Sequence, residues 1–105
     1  MSENPSSPHP AVADRVDKVM SLTPLEFSAS CSRLLGRDIP TGASAVAELP
    51  GGQAILTCQP QAGVTLGGLL ALPCARVSIV FHGVSPEDRA AFIKRFELAF
   101  QRGGG

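Results

Sequence analysis

Aromatic side chains are scarce in this chain of 105 residues, which has five phenylalanines and neither tryptophan nor tyrosine. Surfaces that bind single-stranded nucleic acid commonly stack bases on aromatic rings, and membrane interfaces favour Trp and Tyr. Net charge is lacking too, because nine Lys and Arg balance nine Asp and Glu. No summed field attracts a polyanion or an anionic bilayer. We therefore expect no nucleic acid and no membrane as partner.

Long apolar runs and paired cysteines are also missing. The longest apolar stretch, 64–75, is interrupted by two glycines and a proline, so it is not a candidate to cross a bilayer. The first ten residues lack the basic and apolar segments of a secretory signal. Three widely spaced cysteines, Cys31, Cys58 and Cys74, favour reduced thiols over a disulfide framework. These features predict a cytoplasmic location.

The residues that are present are sufficient for one hydrophobic core. Apolar residues make up 44% of the chain and charged residues 17%, a composition typical of a folded domain. Three prolines and three serines fill the first ten residues, where no apolar periodicity exists. We therefore predict a disordered leader over 1–10, a single α+β domain over 11–102 and a flexible tail over 103–105.

Two helices are predicted near the N-terminus. The first rests on apolar residues at the spacing of one helical stripe, namely Val12, Val16, Val19 and Met20. The second has a capping box, with Thr23 as N-cap and Glu26 three residues later, and Pro24 fits its first position. Gly36 is the residue type that commonly ends a helix, so the second helix should cover 24–35.

Glycine and proline then separate short apolar runs, which is typical of strands and turns. Segments 44–49 and 53–59 flank Pro50-Gly51-Gly52 and predict a hairpin. Segment 64–72 is predicted as a third strand, bent at its two glycines. The alternation over 76–82 predicts the clearest strand of the chain.

The strongest signal is the last helix. Ser85 is placed as N-cap, Pro86 at the first helical position, and two acidic residues follow in the first turn. A wide apolar stripe comes next, formed by Phe92, Ile93, Phe96, Ala99 and Phe100. The sequence thus predicts an α+β fold with two N-terminal helices, an antiparallel meander of three or four strands, and one C-terminal amphipathic helix packed on the sheet.

The sequence gives no catalytic, metal-binding or cofactor-binding motif. The three thiols and His82 lack the paired short spacings of a zinc site. A nucleophilic Cys74 with His82 as its base would define a cysteine-dependent enzyme, but no neighbouring group indicates that the thiol is activated. The terminal glycines resemble the tail of ubiquitin-like carrier proteins, although in those proteins the tail follows a strand and here it follows a helix.

Four residues are candidates for binding. Arg89 falls on the apolar stripe of the last helix, so it must snorkel, pair with an acid, or face a ligand or another chain. Leu98 lies on the opposite side of that helix, where a monomer would expose it. Val80 interrupts the polar side of its strand, and His82 ends that strand. Either a second copy covers the second face of the sheet, or a segment such as 66–72 or the first helix does.

Two segments resemble a group of short, uncharacterised bacterial proteins that end in F-x-x-x-F-x-R-G-G-G. One is S-L-T-P-L-E-F over 21–27; the other runs from residue 72 to the end as L-P-x-x-x-V-x-I-x-F-x-G-V-S-P-E-D-R-A-A-F-I-K-R-F-E-L-A-F-Q-R-G-G-G. The resemblance covers about half the chain. It implies a bacterial cytoplasmic origin and brings no activity, cofactor or catalytic residue.

The first functional hypothesis is a non-enzymatic binding or assembly module, homodimeric, with its contact on the sheet face or a helix. Its partner is a second copy or another protein. The alternative is a small-molecule carrier or sensor with a pocket between the C-terminal helix and the sheet.

Overall fold

A computed structural model describes residues 14–66 and 70–104 of the chain. The described elements, in chain order, are β1 (Arg15–Met20), α1 (Pro24–Leu35), β2 (Ala45–Leu49), β3 (Gly52–Leu66), β4 (Leu70–His82) and α2 (Pro86–Gly104). The strands form one antiparallel sheet of four strands in the order β1-β4-β3-β2. The predicted leader, 1–10, lies outside the described residues, as does Gly105 at the end of the predicted tail.

The prediction of two N-terminal helices is wrong. The first element is β1, which pairs antiparallel with β4 from Arg15 opposite Val80 to Met20 opposite Ala75. Its apolar spacing fits a helix, but a short apolar run fits a strand equally well. The segment forms a strand because the backbone groups on the free edge of β4 need hydrogen-bond partners. The β-branched valines of β1 also favour a sheet. β1 therefore completes the sheet, which is not a simple meander.

The helix α1 begins and ends as its capping residues predict. The Thr23 hydroxyl accepts a hydrogen bond from the Glu26 amide at 3.1 Å, and the Glu26 carboxylate accepts one from the Thr23 amide at 2.8 Å. Gly36 adopts the left-handed conformation at φ 70° and donates its amide to the Ser32 carbonyl. These contacts give hydrogen-bond partners to groups that have none within the helix at its two ends.

The prediction of a separate strand over 64–72 is also wrong. The chain reverses between Leu66 and Leu70, which pair with each other, so this segment is the far end of one long β3–β4 hairpin. The hairpin extends past β1, whose last pair is at Ala75, and past β2, whose first pair is at Leu56. We call the part beyond these pairs, 57–66 and 70–74, the arm.

Proline stands on each outer edge of the arm. The Phe81 amide donates to the Asp14 carbonyl at 2.7 Å, so odd-numbered residues of β4 direct their backbone groups toward the β1 side. Pro73 has the same parity and lies beyond the end of β1. By the register of the hairpin, Pro60 directs its nitrogen toward the opposite edge, beyond β2. Neither proline therefore removes an N–H that a neighbouring strand of this sheet would bind. On an exposed edge, proline also hinders pairing with strands of other chains.

The core lies between the sheet and the two helices. Three phenylalanines of α2, Phe92, Phe96 and Phe100, are at most 3% exposed. Phe92 meets Phe81 of the sheet edge-on at 6.0 Å between ring centroids. Phe100 lies 5.8 Å from Phe27 of α1, so a single aromatic cluster joins both helices to the sheet. Neither helix in the described part of the chain is long and apolar enough to cross a membrane.

One backbone crossing requires glycine. The turn between β2 and β3 lies against the turn between β4 and α2, and a Cβ atom on Gly52 would lie 1.7 Å from the His82 carbonyl oxygen. Gly51 and Gly83, on the two sides of the crossing, have φ values of 83° and 73°. Side chains rarely adopt this conformation, so glycine allows the two turns to lie in contact. This contact fixes the end of the sheet from which α2 starts.

Candidate functional site

The two faces of the sheet differ in what covers them. Both helices pack on the same face, which we call the covered face. Its strand residues are buried: Ala45, Ala47, Ala54, Leu56, Ala75, Val77, Ile79 and Phe81. Successive residues of a strand point to opposite faces, so the residues between these form the other face. No element in the described part of the chain lies on that second face, which we call the open face.

A row of β-branched residues crosses the open face. Val46 of β2 is opposite Ile55 of β3, and Ile55 is opposite Val80 of β4, so the three side chains are cross-strand neighbours. All three are partly exposed. Cross-strand pairs of β-branched residues stabilise a sheet, but they also leave apolar surface in water. The same face carries a second apolar position at Val19, which is 63% exposed.

A polar network lies beside this row. The Ser78 hydroxyl donates to an Asp17 carboxylate oxygen at 2.5 Å, and the Arg15 guanidinium lies 3.1 Å from the other carboxylate oxygen. These side chains cover Ser78, which is only 4% exposed although it faces away from the helices. The hydrogen bond from Ser78, followed by that from Arg15, lowers the pKa of the Asp17 carboxyl from its usual value. The carboxylate is therefore ionised and already neutralised by its own chain.

The edge of the sheet at β2 is partly closed. The Arg37 guanidinium donates a hydrogen bond to the Val46 carbonyl, which points outward from the edge strand. Charged side chains at Arg15, Asp17 and Lys18 occupy the opposite edge, at β1. Charged residues and covered carbonyls are common means of preventing edge-to-edge pairing. The open face is thus more available to a partner than either edge.

The four predicted binding residues fall on two sides of the molecule. Val80 and His82 lie on the open face, where His82 is opposite Gln53 at the end of the sheet. Leu98 lies on the solvent side of α2 and is 66% exposed. Arg89 lies at the start of α2, so the structure does not bring the four together.

Arg89 has a structural role. Its guanidinium lies 3.4 Å from the Asp14 carboxylate and donates to the Val84 carbonyl at 2.7 Å. Its side chain is 13% exposed. The sequence left three outcomes open for Arg89, and the structure has it paired with an acid, an arrangement that ties the first turn of α2 to the start of β1.

The cysteines are far from the only described histidine. Cys74 and His82 lie eight positions apart on β4, a separation of about 26 Å at about 3.3 Å per residue. A thiol–imidazole pair between them is therefore not formed. Cys31 is completely buried in α1, and burial raises the pKa of its thiol to about 12. Burial raises the pKa of the Cys58 thiol as well, so both thiols stay protonated and weakly nucleophilic.

Shallow clefts lie beside the helices, and three of them are lined by residues in the described part of the chain. One of about 320 Å³ lies between α2 and β1 and is lined by Lys18, Met20, Phe96, Glu97, Phe100 and Gln101. A second of about 220 Å³ lies beside the start of α1 and includes Phe27, Ser44 and Cys58. A third of about 310 Å³ lies between α1 and α2, where Leu34 and Leu98 are flanked by two arginines, Arg33 and Arg95. Their sizes are at or below the lower limit of typical ligand pockets.

Neither the placement of metal-binding side chains nor comparison with known proteins indicates a further site. No three His, Cys, Asp or Glu side chains within 14–66 and 70–104 are grouped so that they could hold a metal ion. No known protein family matches the chain, and comparisons with curated proteins and with solved structures found no significant match.

The sequence reasoning missed most of the open face. Because 15–20 was predicted as a helix, Arg15, Asp17 and Val19 were not placed beside Val80. Charged and apolar residues alternate over 15–17, and this was the one signal that could have indicated a strand. Glu48 and Arg76, two exposed charged residues of the open face, were likewise not considered.

Proposed function

We propose that the protein is a non-enzymatic binding or assembly module of the bacterial cytoplasm that forms a homodimer through the open face of its sheet. The observation that carries the proposal is the row Val46, Ile55 and Val80, which lies on the face that neither helix covers. When a second sheet packs on a face with apolar residues, it removes apolar surface from water, which lowers the free energy. A second copy supplies such a sheet.

Size and symmetry support a dimer of modest strength. Four strands spaced about 4.8 Å apart, with about 20 Å of paired length, give a face of about 400 Å² before the side chains are considered. Stable interfaces bury about 800 Å² per partner. We therefore expect a dimer whose population depends on concentration. A face that meets its own copy forms an isologous contact, the commonest arrangement among soluble oligomers.

The experiment compares substitutions on the two sides of the molecule. Light scattering coupled to size exclusion, over a range of concentrations, should give a mass for the unsubstituted protein that rises with concentration toward twice the mass of the chain. Val80→Glu should give the monomer mass, because it places a charge inside the contact. Leu98→Glu is the matched control, since Leu98 is exposed on α2, and this variant should remain dimeric.

The melting temperature of each variant must be recorded, because Val80→Glu could weaken the fold. Val46→Glu, on the edge strand β2, provides a second test of the same row and should also give a monomer. A monomeric unsubstituted protein at high concentration would overturn the proposal. Dissociation by Leu98→Glu, with Val80→Glu still dimeric, would assign the contact to the helices and overturn it equally.

A small-molecule carrier or sensor is the alternative, favoured by the cleft between α2 and β1. The rings of Phe96 and Phe100 lie at its base, and the Lys18–Glu97 ion pair, with 3.8 Å between charged atoms, lies at its rim. A ligand that prefers the folded state must raise its melting temperature. A metabolite panel that raises it for the unsubstituted protein, and not for Phe96→Leu, would support this alternative.

A further inference from the structure

We propose that two ion pairs between copies, each formed by Glu48 of one chain and Arg76 of the other, set the register of the dimer. This inference rests on the proposed function, because it requires the two open faces to meet. It adds which charged residues recognise each other across the contact, and it places the two-fold axis over β3.

The register of the sheet makes these two residues symmetric. Glu48 is opposite Gln53 on β3, and Arg76 is opposite Gln59 on β3. Leu56 is midway between those two positions, and β2 and β4 lie on the two sides of β3. Glu48 and Arg76 are therefore displaced equally, in opposite directions, from the position of Leu56 on β3. Each lies on the open face and is exposed.

The handedness of the sheet decides whether a partner brings the two charges together. Even-numbered residues of β4 have their side chains on the open face and direct their backbone groups toward β3. For L-amino acids, an observer who faces the open face with β4 running upward therefore sees β1 on the left, and β3 and then β2 on the right. Glu48 is then at the upper right and Arg76 at the lower left. A two-fold axis lies across the strands and over the centre of β3.

Aligned sheets pack face to face about 10 Å apart at about −30°. With this rotation, Glu48 of the partner moves toward Arg76 of the first copy. Each of the two residues lies one strand, about 4.8 Å, and three residues, at about 3.4 Å each, from Leu56. After the rotation, the positions of Arg76 and of the partner's Glu48 therefore remain about 4 Å apart in the plane of the sheets. Long side chains can span this offset. Rotation of the opposite sign would separate the two residues by about 14 Å, so the natural twist is the one that favours the pair.

The charges on the open face favour this pairing over others. Arg15 and Asp17 already pair within the chain, at 3.1 Å. Glu48 and Arg76 form no ion pair with any residue in the described part of the chain. They are thus the two opposite charges on this face that a second copy can pair. The same axis lies close to Ile55 and Val80, so the apolar row meets its own copy at the centre of the contact.

Charge reversal tests the pairing. Glu48→Arg alone places two like-charged contacts in its homodimer, and so does Arg76→Glu alone. We expect each to raise the dissociation constant of the homodimer by about tenfold or more, the effect of two exposed pairs turned repulsive. Asp38→Arg and Lys94→Glu, at exposed positions off the open face, are the matched controls and should leave the dissociation constant unchanged.

Mixing the two variants gives the decisive result. In a heterodimer of Glu48→Arg with Arg76→Glu, both contacts join opposite charges, so native mass spectrometry of the mixture should find heterodimer well above the half of all dimers that random pairing gives. The chain with both substitutions should dimerise like the unsubstituted protein. Each effect should decrease at high salt, since exposed pairs are screened.

The outcomes separate the two proposals. If the unsubstituted chain dimerises and Val80→Glu abolishes the dimer, but the mixture contains heterodimer only at the random level, the pairing of Glu48 with Arg76 is overturned and the sheet-face dimer stands. If the unsubstituted chain is monomeric, the dimer itself is overturned. Preferential heterodimer together with restoration in the double variant supports the pairing.

Discussion

The two faces of the sheet come from the same strands, yet they use different residues. The covered face combines four alanines with larger apolar residues such as Leu56, Ile79 and Phe81. The alanines leave room for the phenylalanines of α1 and α2, so that the helices lie close to the sheet. The open face has no alanine at the paired positions within β1–β4 and instead combines β-branched residues with charges. The first face is suited to close packing within the chain, whereas the second keeps the partly exposed apolar row on which the proposed dimer depends.

Substitution on either side of α2 is expected to give the largest difference in stability. Phe96→Ala removes a side chain that is 1% exposed and stacked on Phe100 at 4.2 Å. It should lower the free energy of unfolding by about 3–5 kcal/mol, through lost burial and a cavity. Leu98→Ala, on the exposed side, should change it by less than about 0.5 kcal/mol. Urea denaturation measures both, and similar losses for the two variants would contradict the packing described for α2.

Two neighbours on β3 sharpen the comparison of the faces themselves. Leu56 is completely buried on the covered face, whereas Ile55 is partly exposed on the open face. Leu56→Ala should lower the free energy of unfolding by about 2–5 kcal/mol, and Ile55→Ala by about 1 kcal/mol in the monomer. Urea denaturation at protein concentrations too low for the proposed dimer isolates this difference. A larger loss for Ile55→Ala would mean that the faces are assigned the wrong way round.

The smallest expected effect is the pH dependence that Asp17 contributes. Its pKa is lowered in the folded chain by Ser78 and Arg15. A lowered carboxyl pKa stabilises the fold fully above the unfolded value, near 3.8, and this contribution is lost as pH falls through the lower folded value. Asp17→Asn should therefore reduce stability at pH 7 and narrow the stability difference between pH 7 and pH 3. An unchanged difference between the two pH values would exclude the role assigned to this network.

The helices were more predictable from the sequence than the sheet. Thr23, Glu26 and Gly36 act through backbone groups a few residues away, and local sequence is sufficient to predict such contacts. The identity of β1 depends on a pairing with β4 about sixty positions later in the chain, which no local pattern contains. The glycines within 64–72 indicated a bend in one strand, while the pairing of Leu66 with Leu70 shows that the chain reverses there.

In the candidate site, too, local features were predictable from the sequence, whereas contacts between distant segments were not. Val80 was recognised because it interrupts an otherwise polar alternation, which is visible in the sequence. The row that it forms with Ile55 and Val46 depends on register, and register became known only with the structure. Arg89 was recognised as misplaced on an apolar stripe, but its partner Asp14 lies at the other end of the chain, so the pair could not be predicted.

Contacts between copies give the most direct test of the account. Isotope-filtered nuclear Overhauser spectra can be recorded on an equal mixture of ¹³C-labelled and unlabelled protein, where every cross-peak joins two different chains. The proposed dimer predicts cross-peaks among the methyl groups of Val46, Ile55 and Val80. It predicts none from Leu98 of α2 or from Leu25, an exposed residue of α1. Cross-peaks from those two leucines alone, or no cross-peaks at millimolar concentration, would contradict it.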